Sequence, residues 1–222
     1  NTAQEQEQIK AIDVVEIEPA VVAAAKYFQG ELSTKLNIIQ SDARTHLKAA
    51  EAYDLIISQP SEPWVVGSSA LFTVEFYRLL RQKLKQDGLV TQWLQLYGLS
   101  NREFICALKT FTAVFPDTLI FHQPGAGEIL LVGANSPKSL APLDSCSGNG
   151  SSAYEAAFLN NNGRTAMAKA GIDSWQTFAK GHLLVLSKAK PLTALPIDIA
   201  GIAINSDDNM LLEYSNGRYL AS

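Results

Sequence analysis

The sequence predicts an α/β protein: a doubly wound, mostly parallel sheet that ends in an antiparallel hairpin and continues into a partly helical C-terminal extension. Three observations carry that expectation. Short apolar, β-branched runs recur at residues 12–17, 37–40, 54–58 and 89–96. Helical patterns stand between them at 20–28, 43–50 and 70–85. Strands that alternate with helices build parallel sheets through crossover units. The composition agrees, because 47% hydrophobic and 18% charged residues over 222 suit a globular chain and exclude disorder, collagen and a disulfide scaffold.

Each element has a local reason. Residues 12–17 (IDVVEI) read as a buried strand, and Pro19 suits the first turn of the helix that follows. Residues 37–40 form a second strand, and Asp42-Ala43 opens a helix through Ala50. DLIIS at 54–58 is a third strand. ALFTVEFYRLLRQKLK at 70–85 is an amphipathic helix, with Asp87-Gly88 as its stop signal. Residues 89–96 make a fourth strand, and a helix over 101–114 starts behind Ser100 or Asn101 as cap. Residues 119–121 and 128–132 make a strand pair around Pro124-Gly125-Ala126-Gly127. The runs at 12–17, 55–58 and 89–96 are expected as parallel neighbours in one layer, buried on both faces. Beyond a loop at 144–152 (DSCSGNGSS), residues 153–186 read as helices, one of them AMAKAG at 166–171. The domain division read from this is 1–140 for the sheet domain and 141–222 for the extension.

Charge and cysteine content bound the partners. Eighteen Lys and Arg against twenty-two Asp and Glu give a net charge of −4, so nucleic acid is not expected. Cys106 and Cys146 form no CxxC pair, and His46, His122 and His182 lie far apart, so no metal site is expected. The unpaired cysteines suit a reducing compartment. No apolar run reaches the ~18–20 residues of a membrane helix. The polar, acidic start lacks an initiator Met and reads as a cut from something longer.

In open α/β sheets, ligands bind beyond the carboxyl ends of the strands. The first end carries Glu16-Ile17-Glu18. A carboxylate there can accept both hydroxyls of a ribose while the apolar neighbour lies against an adenine, or it can simply favour a helix N-terminus. The second end carries Ser41-Asp42-Ala43, an adenine-edge acceptor or a helix cap. The third, Ser58-Gln59-Pro60-Ser61-Glu62-Pro63-Trp64, is a stiff polar loop with an indole, suited to a substrate pocket or to a plain tight turn. The fourth carries Gln92 and Trp93, which alternation points to opposite faces, then Gln95 and Tyr97. Gly125-Ala126-Gly127 reads as a turn and Asp207-Asp208 as a solvated pair. Ser61 lacks a G-x-S-x-G elbow, so hydrolase chemistry has no motif.

The blocks VVEIEPAVVAAAKYF (14–28), SDARTHL (41–47), YDLIISQPSEPWVVGSSALFTVEFY (53–77) and DGLVTQWLQLYGLS (87–100) resemble the spermidine synthase family, most closely its bacterial branch, which is often fused to a multi-pass membrane region. The tail NSDDNMLLEYSNGRYL (205–220) resembles that branch's ending. The resemblance implies a Rossmann-like methyltransferase-type fold that uses S-adenosylmethionine or its decarboxylated form. It would place Glu16 on the ribose, Ile17 on the adenine face, and Asp42 with Ala43 on the adenine edge, with Ser58 on the cofactor side. Gln92 would lie near the active site, and Gln59 and Glu62 would stand at the catalytic positions; Trp64 and Tyr97, by their strand-end loops, are expected on the substrate side.

Two departures from the family pattern matter. Aminopropyltransferases carry Asp-Ser-Ser-Asp-Pro where this chain has Gln59-Pro60-Ser61-Glu62-Pro63. The first of those acids helps to deprotonate the attacking amine, and an amide cannot take a proton. The family's first strand and its glycine-rich loop are also missing ahead of residue 12. The expected function is aminopropyl or methyl transfer to a small amine or other small nucleophile, by a cytoplasmic domain that is fused to a membrane region or free, with a homodimer left open. A non-catalytic, ligand-sensing or degenerate domain is the rival. A dehydrogenase shares the acid after the first visible strand but leaves the 53–77 block unexplained.

Overall fold

The computed structural model describes residues 7–29, 34–95, 97–122, 127–144, 187–188 and 201–213. The helices expected at 153–186, the 145–152 part of the loop and the tail beyond 213 lie outside the described residues. The chain divides into two compact units, 1–51 and 52–222.

The first unit is a βαβα segment. Strand β1 (Ile12–Glu16) leads into helix α1 (Pro19–Gln29), then β2 (Leu36–Gln40) and α2 (Ala43–Ala49). β1 and β2 pair in parallel, from Ile12 opposite Leu36 to Glu16 opposite Gln40. The register is reinforced where Asn37 Nδ2 donates to Asp13 Oδ1 at 2.9 Å. Asp42 caps α2 by accepting the Thr45 N–H at 2.8 Å. Leu47 is this unit's one buried apolar side chain among the described residues.

The second unit carries a five-stranded sheet in the order β3-β4-β6-β5-β7, with β3 (Tyr53–Ser58), β4 (Leu84–Gln95), β5 (Leu119–His122), β6 (Glu128–Ala134) and β7 (Ser187–Lys188). β3 and β4 are parallel, and the remaining pairs are antiparallel, including the expected β5–β6 hairpin. Helices α3 (Val74–Gln82) and α4 (Asn101–Thr112) join the strands. α4 begins at Ser100, whose hydroxyl takes the Glu103 N–H while the Glu103 carboxylate takes the Ser100 N–H. The core is aromatic. Phe111 stands edge-on to Tyr77 with centroids 5.0 Å apart and packs on Phe115 at the same distance. A short helix, α5 (Ala141–Asp144), and the turn before it place Leu140 and Leu143 over Leu119, Val132 and Leu89 on one sheet face.

Three expectations need correction. β1 does not lie in one sheet with β3 and β4: it pairs with β2 alone, so β1 and β3 are both edge strands among the described residues. Burial on both faces fails with it, since Leu55 and Ile57 are 48% and 65% exposed. Register puts these two on the face of Leu89 and Thr91, while only Ile56 and Ser58 share the well-buried face of Val90 and Gln92. The helix expected over 70–85 is broken. A 3-10 turn (Ser68–Phe72) ends at Thr73, whose hydroxyl accepts the Phe76 N–H and starts α3 afresh. Asp87-Gly88 is no helix stop but a bulge within β4, where Tyr53 faces Leu84 and Leu55 faces Leu89. Glycine is needed there, because a Cβ on Gly88 would stand 3.0 Å from the Tyr53 carbonyl oxygen.

Candidate active site

The strand ends of the first unit are built by their own carboxylates. After β1 the chain turns through Ile17 into Pro19, and Glu16 Oε1 accepts the Glu18 N–H at 2.8 Å. Glu18 in turn takes the Ala20 N–H at 3.1 Å, which leaves Pro19 free to open α1 without a donor. The Ser41 N–H donates to the Glu16 carbonyl oxygen at 3.1 Å, so the two strand ends share one edge. Asp42 is the cap of α2: its Oδ1 holds Thr45, while Oδ2 makes no hydrogen bond among the described residues. Glu16 Oε2 is in the same position. Ile17 is 66% exposed, an apolar side chain held at the sheet edge beside a carboxylate. Ala43 opens α2 behind Asp42. The set of two acceptor oxygens and one bare aliphatic side chain fits the hydroxyls and flat base of an adenosyl group.

The second unit supplies the polar loop. Ser58 is buried at the end of β3 directly opposite Gln92. Gln59 is exposed at the loop start, and Glu62 adopts a left-handed backbone at φ 53 immediately before Pro63. That conformation costs an L-residue about 1–2 kcal/mol. Its carbonyl accepts the Val65 N–H at 2.9 Å, which closes the turn. Trp64 reaches across to the loop after β4. Gly98, at φ 77, admits it: a Cβ there would sit 2.5 Å from the indole. Tyr97 lies exposed over Gly127.

The fourth strand end holds two buried amides. Gln92 is fully buried, and its Nε2 donates to the Trp93 carbonyl at 3.0 Å while Oε1 has no partner among the described residues. Trp93 points to the opposite face, as alternation requires, and donates from Nε1 to Glu128 at 2.9 Å. Gln95 is buried too, and its Nε2 is likewise unpartnered. Gln95 is a buried polar group beyond the residues expected to form the site. The signal was its place two residues past Trp93 at the end of an apolar strand, where an amide has no reason to be unless something meets it. An unsatisfied buried amide group costs about 1–3 kcal/mol.

Asp207 and Asp208 are both exposed, as a solvated pair should be, and Thr73 Oγ1 donates to Asp207 Oδ1 at 2.7 Å. Gly127 closes the β5–β6 turn as expected, while Gly125 and Ala126 lie outside the described residues. No group of three or more His, Cys, Asp or Glu is arranged for a metal among the described residues. None of their helices is long and apolar enough to cross a membrane.

The spermine/spermidine synthase domain matches residues 5–124, more than half of the chain and all four strand ends. The chain belongs to the spermine/spermidine synthase family. Curated relatives include polyamine aminopropyltransferase 2 of Streptomyces coelicolor, 33% identical over 91 residues that cover 36% of this chain and 16% of that one. The polyamine aminopropyltransferase of Buchnera aphidicola is 30% identical over 121 residues, covering 51% and 42%. The chain thus spans less than half the length of these relatives. Among solved structures, a spermidine synthase in complex with the transition-state analogue AdoDATO is similar at a TM-score of 0.54 and 18% identity, over 75% of this chain and 63% of that one. The spermidine synthase of Thermotoga maritima gives 0.51 at 18%, over 75% and 62%. These likenesses establish the Rossmann-like methyltransferase-type fold.

Proposed function

We propose that this family member is an aminopropyltransferase domain that moves the aminopropyl group of decarboxylated S-adenosylmethionine to a small amine. The observation that carries the reading is the family match over 5–124, which includes every strand end with a chemically suited side chain. Glu16 binds the ribose through the oxygen its own turn leaves over, Ile17 covers the base, and Asp42 with Ala43 reads its edge. Ser58 braces the donor side of the loop. When bound, the sulfonium donor supplies a leaving group already activated for in-line displacement, so positioning can provide much of the rate.

The acceptor side follows from charge and hydrogen-bonding capacity. A diamine is cationic at neutral pH, and its distal ammonium suits the Glu62 carboxylate. Gln92 Oε1 accepts an N–H of the acceptor and thereby loses its orphan state. Trp64 and Tyr97 wall the alkyl chain. Gln59 orients the attacking nitrogen but cannot deprotonate it, so the nitrogen must reach the site as neutral amine. The same amide favours a second reading, methyl transfer from S-adenosylmethionine to a nucleophile that needs no base. The free Cys106 thiol accords with a cytosolic domain.

A radiolabel transfer assay with putrescine and decarboxylated S-adenosylmethionine tests this. The natural protein should form spermidine slowly. Gln59→Asp should accelerate it, a positioned general base being worth ~10²–10⁴-fold. Natural turnover as fast as that of the variant would place the base elsewhere. Transfer by neither protein, with donor binding intact, would favour methyl transfer.

A further inference from the structure

We propose that residues 201–213 form a clasp that sets the 59–67 loop, with Glu213 acting through Ser69 as a positioning residue for Glu62. The inference rests on the reading of Glu62 as the acceptor's anchor. A continuous run of hydrogen bonds links the two carboxylate-bearing residues. Ser69 Oγ donates to Glu213 Oε2, the Ser69 N–H donates to the Val65 carbonyl at 3.1 Å, and the Val65 N–H donates to the Glu62 carbonyl at 2.9 Å. Ser69 is fully buried, so water does not compete for its hydroxyl. The last bond closes the turn that begins at Glu62, whose backbone is left-handed at φ 53.

The segment is tied down so that Glu213 arrives at Ser69 in one position. Residues 201–203 lie along α4, with Arg102 donating to the Gly201 carbonyl at 3.2 Å, Lys109 to that of Ile202 at 2.6 Å and Cys106 to that of Ala203 at 3.2 Å. Asn205 is the pivot. It is fully buried, and all four of its polar groups are used: its N–H on Thr110, its Nδ2 on the Phe72 carbonyl, its carbonyl on the Val74 N–H and its Oδ1 on the Leu212 N–H. Asp207 then grips the start of α3, accepting from Thr73 and donating its N–H to Glu75 at 2.9 Å. Met210, at φ 42, turns the chain back, and the Glu213 N–H closes on its carbonyl at 3.0 Å. Ile202 and Leu212 are buried and add an apolar anchor to the segment. Its polar bonds fall on α4, on the start of α3 and on Ser69.

Hydrogen exchange read by mass spectrometry on the natural protein, Glu213→Ala, Glu213→Gln and Ser69→Ala tests the clasp. Glu213→Ala and Ser69→Ala should each speed exchange at Val65 and Ser69 by ~10-fold or more, as expected when a charge-assisted bond is lost. Residues 101–112 should keep their rates, and Glu213→Gln should restore most of the protection, because its amide oxygen still accepts from Ser69. In the transfer assay, Glu213→Ala should raise the acceptor KM ~10-fold and leave donor affinity unchanged. Equal acceleration in 61–70 and 101–112, no change in 61–70, or a loosened loop with an unchanged acceptor KM would each overturn the proposal. If the natural protein transfers nothing, the aminopropyl reading fails, and the exchange pattern alone still decides the clasp.

Discussion

Residues 1–51 and 52–222 use their polar groups in opposite ways. In the first unit, Glu16, Glu18 and Asp42 each satisfy a backbone N–H of their own turn, and one apolar side chain, Leu47, is buried among the described residues. In the second, a closed aromatic core coexists with two buried amides that each carry one unpartnered polar atom and with a strained Glu62. A region that is locally satisfied and thinly packed gains little by rigidity, and its carboxylates can serve a ligand with the oxygen left over. A region with a large core can bear local costs at its strand ends. The donor side and the acceptor side of the proposed reaction therefore rest on different physical foundations.

The sharpest way to break this comparison is to remove one core side chain from each unit. Phe111→Ala should lower stability by about 3–5 kcal/mol, read as a fall in the denaturation midpoint with an unchanged slope. Leu47→Ala should leave that main transition in place. Equal shifts would mean that the two units share one cooperative core.

A smaller effect probes the orphan amide. Gln92→Met keeps the volume and removes the unpartnered acceptor, so it should stabilise the second unit by about 1 kcal/mol while the acceptor KM rises. A variant that is less stable would show that Oε1 is satisfied in the folded protein and that the amide is structural.

The smallest effect is a pH dependence confined to the second unit. Burial pushes the Cys106 thiol above its ordinary value of 9.0, outweighing the bonds and cations that favour the thiolate, and burial likewise raises Tyr77 above 10.0. Both groups stay protonated in the folded chain after the unfolded chain has begun to lose its protons. Their contribution is complete below pH 9 and declines as pH rises from there, at no more than about 1.4 kcal/mol per group per pH unit. Cys106→Ala should flatten the stability curve just above pH 9. An unaltered slope would show that the thiol plays no part in it.

Most elements were legible because their causes are local. β-branched runs, Pro19 at a helix start and the Ser100–Glu103 capping box lie within a few residues of what they determine. The same holds for the strand-end residues as types: acids, amides and an indole at sheet edges. What escaped depends on distant partners. The helix expected over 70–85 breaks at Thr73 partly because Asn205 and Asp207 arrive from far along the chain to take its end groups. Asp87-Gly88 has the composition of a stop, yet its bulge is fixed by Tyr53 on another strand. The orphan state of Gln92 and Gln95 is a property of packing, which no local pattern encodes.

The claim that most needs testing is that Glu16 serves a ribose with the oxygen its own turn does not use. Glu16→Gln is the cleanest probe, because its amide oxygen can still accept the Glu18 N–H while the new NH₂ can only donate. Equilibrium binding of decarboxylated S-adenosylmethionine to the natural protein and the variant gives the answer. The expected result is an affinity lower by ~10-fold or more, the worth of a hydrogen bond to a charged group, with an unchanged thermal midpoint. Equal affinities would contradict the account and leave Glu16 as a turn residue alone.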